Sequence, residues 1–123
     1  MEITLSPLGH TWILDLDGTI VKHNGYINDG YDTLLDGAIE FLHQIPECDM
    51  IVFITSRTTE YRRITESFLA KHGIRHDHII YNTPFGERIL INDRKSSGLK
   101  TAIAVNAERD RFREIRIKVD EDL

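Results

Sequence analysis

The fold is decided by Trp12-Ile13-Leu14-Asp15-Leu16-Asp17-Gly18-Thr19, an apolar run that ends in two acids and a turn. A near-continuous apolar run suits a strand that is covered on both faces, as in a parallel sheet. Asp15 and Asp17 are two residues apart, so their side chains leave the strand end on the same side. Gly18 follows where the backbone has to turn closely. The stretch therefore predicts a buried strand that presents two carboxylates at its carboxyl end.

Helix and strand patterns alternate along the rest of the chain, which predicts an α/β domain with a mainly parallel sheet. A β-hairpin flap is expected over residues 20–29, because Asn24-Gly25 is a strong two-residue turn. Asp36 is expected to cap a helix that ends before Pro46, and a second helix is expected from about residue 58 to 72. Further strands are predicted at 50–54, 79–81, 88–91 and 101–105, with a weaker strand signal at 115–119.

Length and composition favour one soluble domain over residues 1–123, with core motifs at 11–105 and a tail at 106–123. The net charge is −5, so nothing in the charge favours binding to nucleic acid or to an anionic membrane. Cys48 is the single cysteine, which excludes an intramolecular disulfide and favours a reducing, cytoplasmic setting. No apolar run approaches the ~20 residues of a membrane span, and no signal peptide is expected.

Three predicted strands end in polar groups: Asp15 and Asp17 on the first, Thr55 on the second, and Asn92-Asp93 on the fourth. The carboxyl ends of the strands in an open parallel sheet form the ligand crevice. Converging carboxylates repel one another unless a cation is present, and oxygen ligands of this kind suit Mg²⁺. The alternatives are structural: Asp-Gly as a plain turn, Thr55 as a helix N-cap, and Asn92-Asp93 as an ordinary turn.

These motifs give the chain a resemblance to a known family, the haloacid dehalogenase-like (HAD) phosphohydrolases. Asp15-Leu16-Asp17-Gly18-Thr19 resembles the first HAD motif, an apolar strand ending Asp-x-Asp-Gly-Thr. Ile51-Val52-Phe53-Ile54-Thr55 resembles the second motif, and Ile89-Leu90-Ile91-Asn92-Asp93 resembles the fourth. Order and spacing agree over residues 11–105. The resemblance implies a Rossmann-like three-layer sandwich with a mainly parallel sheet, a flap after the first motif and no cap domain.

The resemblance also implies a role for each motif residue. Asp15 would attack phosphorus and form an aspartyl-phosphate, which divides a hard displacement into two easier steps. Asp17 would protonate the leaving oxygen and then take a proton from the hydrolytic water. The residues expected to bind phosphate are Gly18, Thr19, Thr55, Ser56, Arg57 and Lys95. The groups expected to bind Mg²⁺ are the carboxylates of Asp15 and Asp93, the backbone carbonyl of Asp17, and the amide oxygen of Asn92.

One position departs from the family pattern. The third motif supplies a Lys or Arg that neutralises nucleophile and phosphate, but the chain reads Asn82-Thr83-Pro84 where small relatives often have Gly-Lys-Pro. Arg57 and Lys95 are candidates to replace that charge. Arg88 is a weaker one, because it starts a predicted strand and is expected at the end away from the site. Asn92 stands where many relatives have Asp, which lowers the negative charge there.

These observations predict a Mg²⁺-dependent phosphatase. Too few residues separate the motifs for a cap domain, which implies a bulky phosphomonoester or a homo-oligomer whose neighbour covers the site. Residues 65–69 and 72–74 resemble small bacterial phosphatases associated with surface-polysaccharide genes, which suggests a sugar phosphate. Thr83 motivates an alternative, a degenerate phosphate- or phosphosugar-binding protein with little turnover. A phospho-accepting receiver domain fits less well, because its phosphoacceptor Asp follows the third strand.

Overall fold

The computed structural model describes residues 1–112 and 114–123, so residue 113 of the predicted tail lies outside it. The strands are β1 (Glu2–Leu5), β2 (Thr11–Asp15), β3 (Met50–Ile54), β4 (His78–Ile80) and β5 (Arg116–Val119). The helices are α1 (Gly25–Asn28), α2 (Ala38–Gln44) and α3 (Arg62–Lys71), with a 3₁₀ turn at Thr59–Tyr61 before α3. None of the helices in the described part of the chain is long and apolar enough to cross a membrane.

The strands form two parallel sheets in an α/β arrangement that is compatible with a Rossmann-like fold. One sheet has the order β2-β3-β4, with Thr11 opposite Met50 and Asp15 opposite Ile54. The other pairs β1 with β5. The tail strand predicted from residues 115–119 is thereby confirmed, whereas β1 was not predicted. Because β2, β3 and β4 run in the same direction, their carboxyl ends meet at one edge of the larger sheet.

The core lies between the larger sheet and the two longer helices. The strands contribute Ile51 and Phe53, α2 contributes Phe41, and α3 contributes Leu69. The turn after β2 adds the fully buried Leu16. Burying a side chain of this size stabilises the fold by about 1.5–3 kcal/mol. The apolar run of β3 and the stripe of α3 therefore form the elements that their patterns predict.

The carboxylate of Asp49 binds His10 and Trp12 at the amino end of β2. Its buried carboxylate accepts hydrogen bonds from the His10 backbone N–H at 3.1 Å and from Trp12 Nε1 at 2.9 Å. Nδ1 of His10 lies 2.9 Å from the same carboxylate. Burial alone raises the pKa of the Asp49 carboxyl, but the hydrogen bonds from Trp12 and His10 outweigh it and hold that pKa below its ordinary value.

The strands predicted at 88–91 and 101–105 are wrong. Every residue from 81 to 112 is described, and none lies in a helix or a strand. The apolar side chains of Ile89 and Ile91 are more than four-fifths exposed. Side-chain contacts hold this segment at both ends instead of a strand ladder: Arg88 reaches back to Asp15, and Asn92 Nδ2 donates to the carbonyl of Thr101 at 3.0 Å.

Two local predictions near the first motif are also wrong. The hairpin turn at Asn24-Gly25 is replaced by α1, in which the Asn28 N–H donates to the Asn24 carbonyl at 2.9 Å. Asn24 does adopt the positive φ, 55°, that the turn prediction relied on, but there it precedes a helical turn. The helix expected from Asp36 has Gly37 at its N-cap, with a φ of 86°, and no side chain caps it.

Candidate active site

Asp15 and Asp17 lie where the sheet ends, as the first motif predicts. Asp15 is the last residue of β2 and pairs with Ile54, so Thr55 follows directly on the neighbouring strand. Thr55 is fully buried, and its Oγ1 accepts the backbone N–H of Arg57 at 3.1 Å. The N-cap of the following 3₁₀ turn is Thr58, so the alternative of Thr55 as a helix cap does not hold. Three of the predicted site residues are thus brought to one edge.

The turn after β2 holds Asp15 and Asp17 close together. The carbonyl of Leu16 accepts the backbone N–H groups of Thr19, Ile20 and Val21 at 2.9–3.1 Å. Gly18 has a φ of 82°, and a Cβ at this position would lie 3.2 Å from Cγ of Arg109. The positive φ therefore favours glycine here, and a side chain would also press against Arg109. The Gly18 N–H donates to the Val21 carbonyl at 2.7 Å, so it is already paired within the turn.

Arg88 contacts the predicted nucleophile. Its Nη1 lies 3.1 Å from Oδ1 of Asp15, and its Nη2 donates to Oγ1 of Thr83 at 3.1 Å. The other oxygen of Asp15 has only a long contact, 3.5 Å, with Oγ1 of Thr19. The prediction that Arg88 lies at the far end of a strand is wrong, because residues 88–91 form no strand. A cation therefore stands beside Asp15 even though Thr83 replaces the expected lysine.

Arg57 is a buried hub that uses all five of its N–H donors on protein groups. Nε and Nη2 donate to the two oxygens of Asp17, each at 3.0 Å. Nη1 and Nη2 donate to Asp32 at 3.0 and 2.7 Å, and Nη1 also donates to Oγ1 of Thr65 at 2.9 Å. The side chain of Arg57 is only 1% exposed. In this arrangement no donor of Arg57 is left for the phosphate contact that the resemblance implies.

Aromatic packing completes the surroundings of Arg57. Its guanidinium lies 3.9 Å from the centre of the Tyr26 ring, and Tyr61 packs edge-on against that ring at 4.8 Å. Burial disfavours the charged guanidinium, but the hydrogen bonds that it donates to Asp17 and Asp32 outweigh burial and raise the pKa of Arg57 above its ordinary value. Burial, and then the negative charge of Asp17, raise the pKa of the Tyr26 hydroxyl.

The other predicted site residues are spread along the neighbouring loops. Ser56 Oγ lies 3.5 Å from Oγ1 of Thr83 and donates to the Pro84 carbonyl at 3.4 Å. Asn92 and Asp93 are exposed, and each contacts Thr101: Asn92 binds its carbonyl, and the carbonyl of Asp93 accepts its hydroxyl. The ammonium of Lys95 forms no ion pair with another described residue. Among the described residues, no side-chain hydrogen bond or ion pair joins Asn92, Asp93 or Lys95 to Arg57.

The groups expected to hold Mg²⁺ are not assembled around one position in this arrangement. Oδ1 of Asp15 faces Arg88, and the Asp17 carboxylate, which lies beside the backbone carbonyl expected to bind the ion, is paired with Arg57. Among residues 1–112 and 114–123, no three His, Cys, Asp or Glu side chains are grouped to hold a metal ion, so Asp93 does not join Asp15 and Asp17. Arginines, and not an assembled ligand set, offset the negative charge at this edge.

Sequence reasoning missed Asp32 and discounted Arg88. Asp32 lies between motifs, and only the fold shows that it shares Arg57 with Asp17. One signal for Arg88 was available: a basic residue five positions after Thr83 can supply the charge when the chain between them turns back. Because a strand was predicted at 88–91, Arg88 was expected at the end of that strand away from Asp15.

Comparison with known proteins adds one structural likeness. No family model matches the chain, and no curated protein matches it. The chain is similar to one chain of a solved structure described as "Structure of Pnkp1/Rnl/Hen1 complex", with 27% sequence identity and a TM-score of 0.53. The match covers 68% of this chain and 31% of that chain.

Proposed function

We propose that the protein is a phosphatase that hydrolyses a phosphomonoester, such as a sugar phosphate, through an aspartyl-phosphate on Asp15. One observation carries the proposal: two carboxylates, Asp15 and Asp17, share the carboxyl end of the sheet, and Arg88 lies 3.1 Å from the first of them. A cation beside a carboxylate lets it approach an anionic phosphate, because it offsets the repulsion between the two.

The reaction divides into two displacements on phosphorus. In the first, Oδ2 of Asp15, the oxygen that does not face Arg88, bonds to phosphorus while the bond to the leaving oxygen breaks. Asp17 donates its proton to that leaving oxygen. In the second, water attacks the aspartyl-phosphate and gives a proton to Asp17. Phosphate then leaves, and the Asp15 carboxylate is restored.

Asp17 keeps the capacity for this role despite its contacts. Arg57 takes one acceptor site on each oxygen, and a carboxylate has about four such sites, so about two remain. The side chain of Asp17 is 15% exposed, compared with 1% for Arg57 and 4% for Asp32. Asp17 is therefore the member of this cluster that faces outward, where a substrate oxygen can approach.

The proposal includes a Rossmann-like three-layer sandwich without a cap domain, in a reducing cytoplasmic setting. The parallel sheets and the free, exposed Cys48 support these parts. An uncapped site admits a bulky substrate, or is covered by a second copy of the chain. Mg²⁺ dependence is a separate part of the proposal, because it comes from the resemblance and not from the arrangement of the carboxylates.

A panel of phosphomonoesters, assayed with and without Mg²⁺, tests the function. We expect the wild type to hydrolyse at least one ester and Asp15→Asn to hydrolyse none, because an amide cannot form the aspartyl-phosphate. Asp36→Asn, at an exposed acid, is the matched control and should keep activity. Retained turnover in Asp15→Asn contradicts the assignment. A wild type that binds inorganic phosphate but hydrolyses no ester supports the alternative, a binding protein with little turnover.

A further inference from the structure

We propose that Asp32 is a positioning residue, which orients the general acid Asp17 through Arg57. This inference rests on the proposed phosphatase function and adds a residue that lies in none of the sequence motifs. Asp32 belongs to the segment of residues 22 to 33, here called the 22–33 loop. A backbone hydrogen bond from the Lys22 N–H to the Thr33 carbonyl closes the loop at 2.9 Å.

Arg57 holds Asp17 and Asp32 on adjacent edges of one rigid plane. Asp17 occupies the edge formed by Nε and Nη2, and Asp32 occupies the edge formed by Nη1 and Nη2. A guanidinium is planar, and its donors keep a fixed geometry toward a carboxylate. A shift of either carboxylate therefore turns the plane and shifts the other one.

The 22–33 loop holds Arg57 in a second way, through Tyr26. The Tyr26 ring covers one face of the guanidinium at 3.9 Å, which fixes the plane that the two carboxylates share. Thr65 of α3 accepts the remaining N–H and donates its own hydroxyl to the Tyr61 carbonyl at 2.8 Å. The orientation of Arg57 thus depends on the loop and on α3 together.

Burial makes this coupling strong. In Asp32→Asn the amide oxygen accepts from one donor of Arg57 and the amide NH₂ group faces the other, so a donor of the buried guanidinium is left unpaired. Unpaired buried donors are costly, so Arg57 turns toward other acceptors and carries Asp17 with it. Asp32 contacts Arg57 and not Asp15. Replacing Asp32 therefore displaces the carboxylate of the general acid, Asp17, and leaves the nucleophile, Asp15, in place.

The choice of leaving group separates a positioning role from a merely structural one. An alkyl phosphate releases an alkoxide, which needs a proton from Asp17 as the bond to phosphorus breaks. p-Nitrophenyl phosphate releases a stabilised phenolate, which leaves without that proton. A misplaced general acid therefore slows the first displacement on the alkyl ester selectively, whereas partial unfolding slows that step for both esters equally.

The experiment compares Asp32→Asn with the wild type on glycerol 2-phosphate and p-nitrophenyl phosphate. The comparison is made on kcat/KM, which covers the first displacement and not the hydrolysis of the aspartyl-phosphate common to both esters. We expect kcat/KM for the alkyl ester to fall at least about tenfold, since general acid catalysis contributes about 10²–10⁴-fold. For the nitrophenyl ester we expect kcat/KM to fall by less than about threefold. Asp29→Asn is the matched control, because Asp29 lies on the same loop but pairs with Lys22 at 2.8 Å.

Equal losses of kcat/KM on both esters, or no loss on either, overturn the positioning role. If Asp32→Asn fails to fold, Tyr26→Leu takes its place, because it removes the ring that covers Arg57 and leaves both carboxylates intact. The same selective loss is then expected, and its absence overturns the role. A wild type that is inactive on both esters overturns the phosphatase function itself, which distinguishes the two failures.

Discussion

The guanidinium of Arg88 and the carboxylate of Asp15 form an ion pair of 3.1 Å at the carboxyl end of β2, with each side chain 36% exposed. The same guanidinium donates to Oγ1 of Thr83, the position where the sequence pattern predicted a lysine. A positive charge is thereby supplied from five positions further along the chain. This pair makes Arg88 the first residue to change.

Arg88→Ala should lower kcat/KM by about 10²-fold, because removing one preorganised charge beside a developing anion typically costs that much. Arg88→Lys keeps the charge but loses the second hydrogen bond, so we expect a smaller loss. The unfolding free energy should change by less than about 1 kcal/mol, since exposed ion pairs contribute little to stability. Arg94→Ala, at a neighbouring exposed arginine, is the control. An unchanged kcat/KM in Arg88→Ala contradicts the role.

Thr83→Lys should restore activity only where Arg88 is absent. In the wild type the new ammonium is placed against the Arg88 guanidinium, which now donates to Oγ1 of Thr83, and like charges at that distance repel. In Arg88→Ala the position is free, and a lysine there can reach the negative charge of Asp15. Measuring kcat/KM for the wild type, the two single variants and the double variant gives a double-mutant cycle. Faster turnover of Thr83→Lys alone would show that the site is short of positive charge.

Asp49→Asn should lower the free energy of unfolding at pH 7 by about 1–3 kcal/mol, because the hydrogen bonds from His10 and Trp12 lose a charged acceptor. The pKa of Asp49 is held below its ordinary value of about 3.9, so the unfolded chain binds its proton first as the pH falls. The stabilisation is therefore present above about pH 4 and lost as the pH falls through the folded-state pKa.

Urea unfolding of the wild type and Asp49→Asn at several pH values between about 3 and 7 measures this effect. The difference between the two proteins should shrink toward the acid end. Glu47→Gln changes an exposed acid in the same turn and should leave stability unchanged at every pH. A difference that stays constant across the range means that the charge of Asp49 contributes nothing.

Mg²⁺ should raise the melting temperature if the ion joins Asp93 to the pair at the end of β2, because a ligand that binds only the folded chain stabilises it. Asp93 is exposed and does not group with Asp15 and Asp17, so binding requires the 88–93 segment to move. We expect the rise to shrink in Asp93→Asn and to persist in Asp120→Asn, a control in the acidic tail. An equal rise in all three proteins places the ion elsewhere.

The hydrophobic pattern within one segment correctly predicted the strand β3 and the helix α3. The unbroken apolar run at 50–54 and the stripe of α3 predicted the right elements, because Ile51 and Phe53 on the strand and Leu69 on the helix are buried in the core, although Met50 and Ile64 stay exposed. The same logic failed at 88–91, where an apolar run stays exposed. Arg88 of this segment contacts Asp15, far away in the sequence, and a pattern of neighbouring residues does not contain that contact.

The candidate site was predictable only in part for the same reason. Asp15, Asp17 and Thr55 follow from strand ends, since parallel strands bring their carboxyl ends together. Arg57 was selected as a phosphate ligand from its place after Thr55, but its role depends on Asp32 and Thr65, which reach it from other elements. Pairings between residues far apart in the sequence need the fold before they can be seen.

Trp12 gives the strand β2 an optical probe at the end opposite to Asp15. It is the single tryptophan of the chain, and it lies three residues before Asp15, or about 10 Å along an extended strand. Its indole donates to Asp49, and its ring packs edge-on against Phe41 at 5.7 Å. Tryptophan emission therefore follows protonation of Asp49 and melting of the core. If a ligand that binds at Asp15 alters this emission, the change reports a displacement that has travelled along β2 to Trp12.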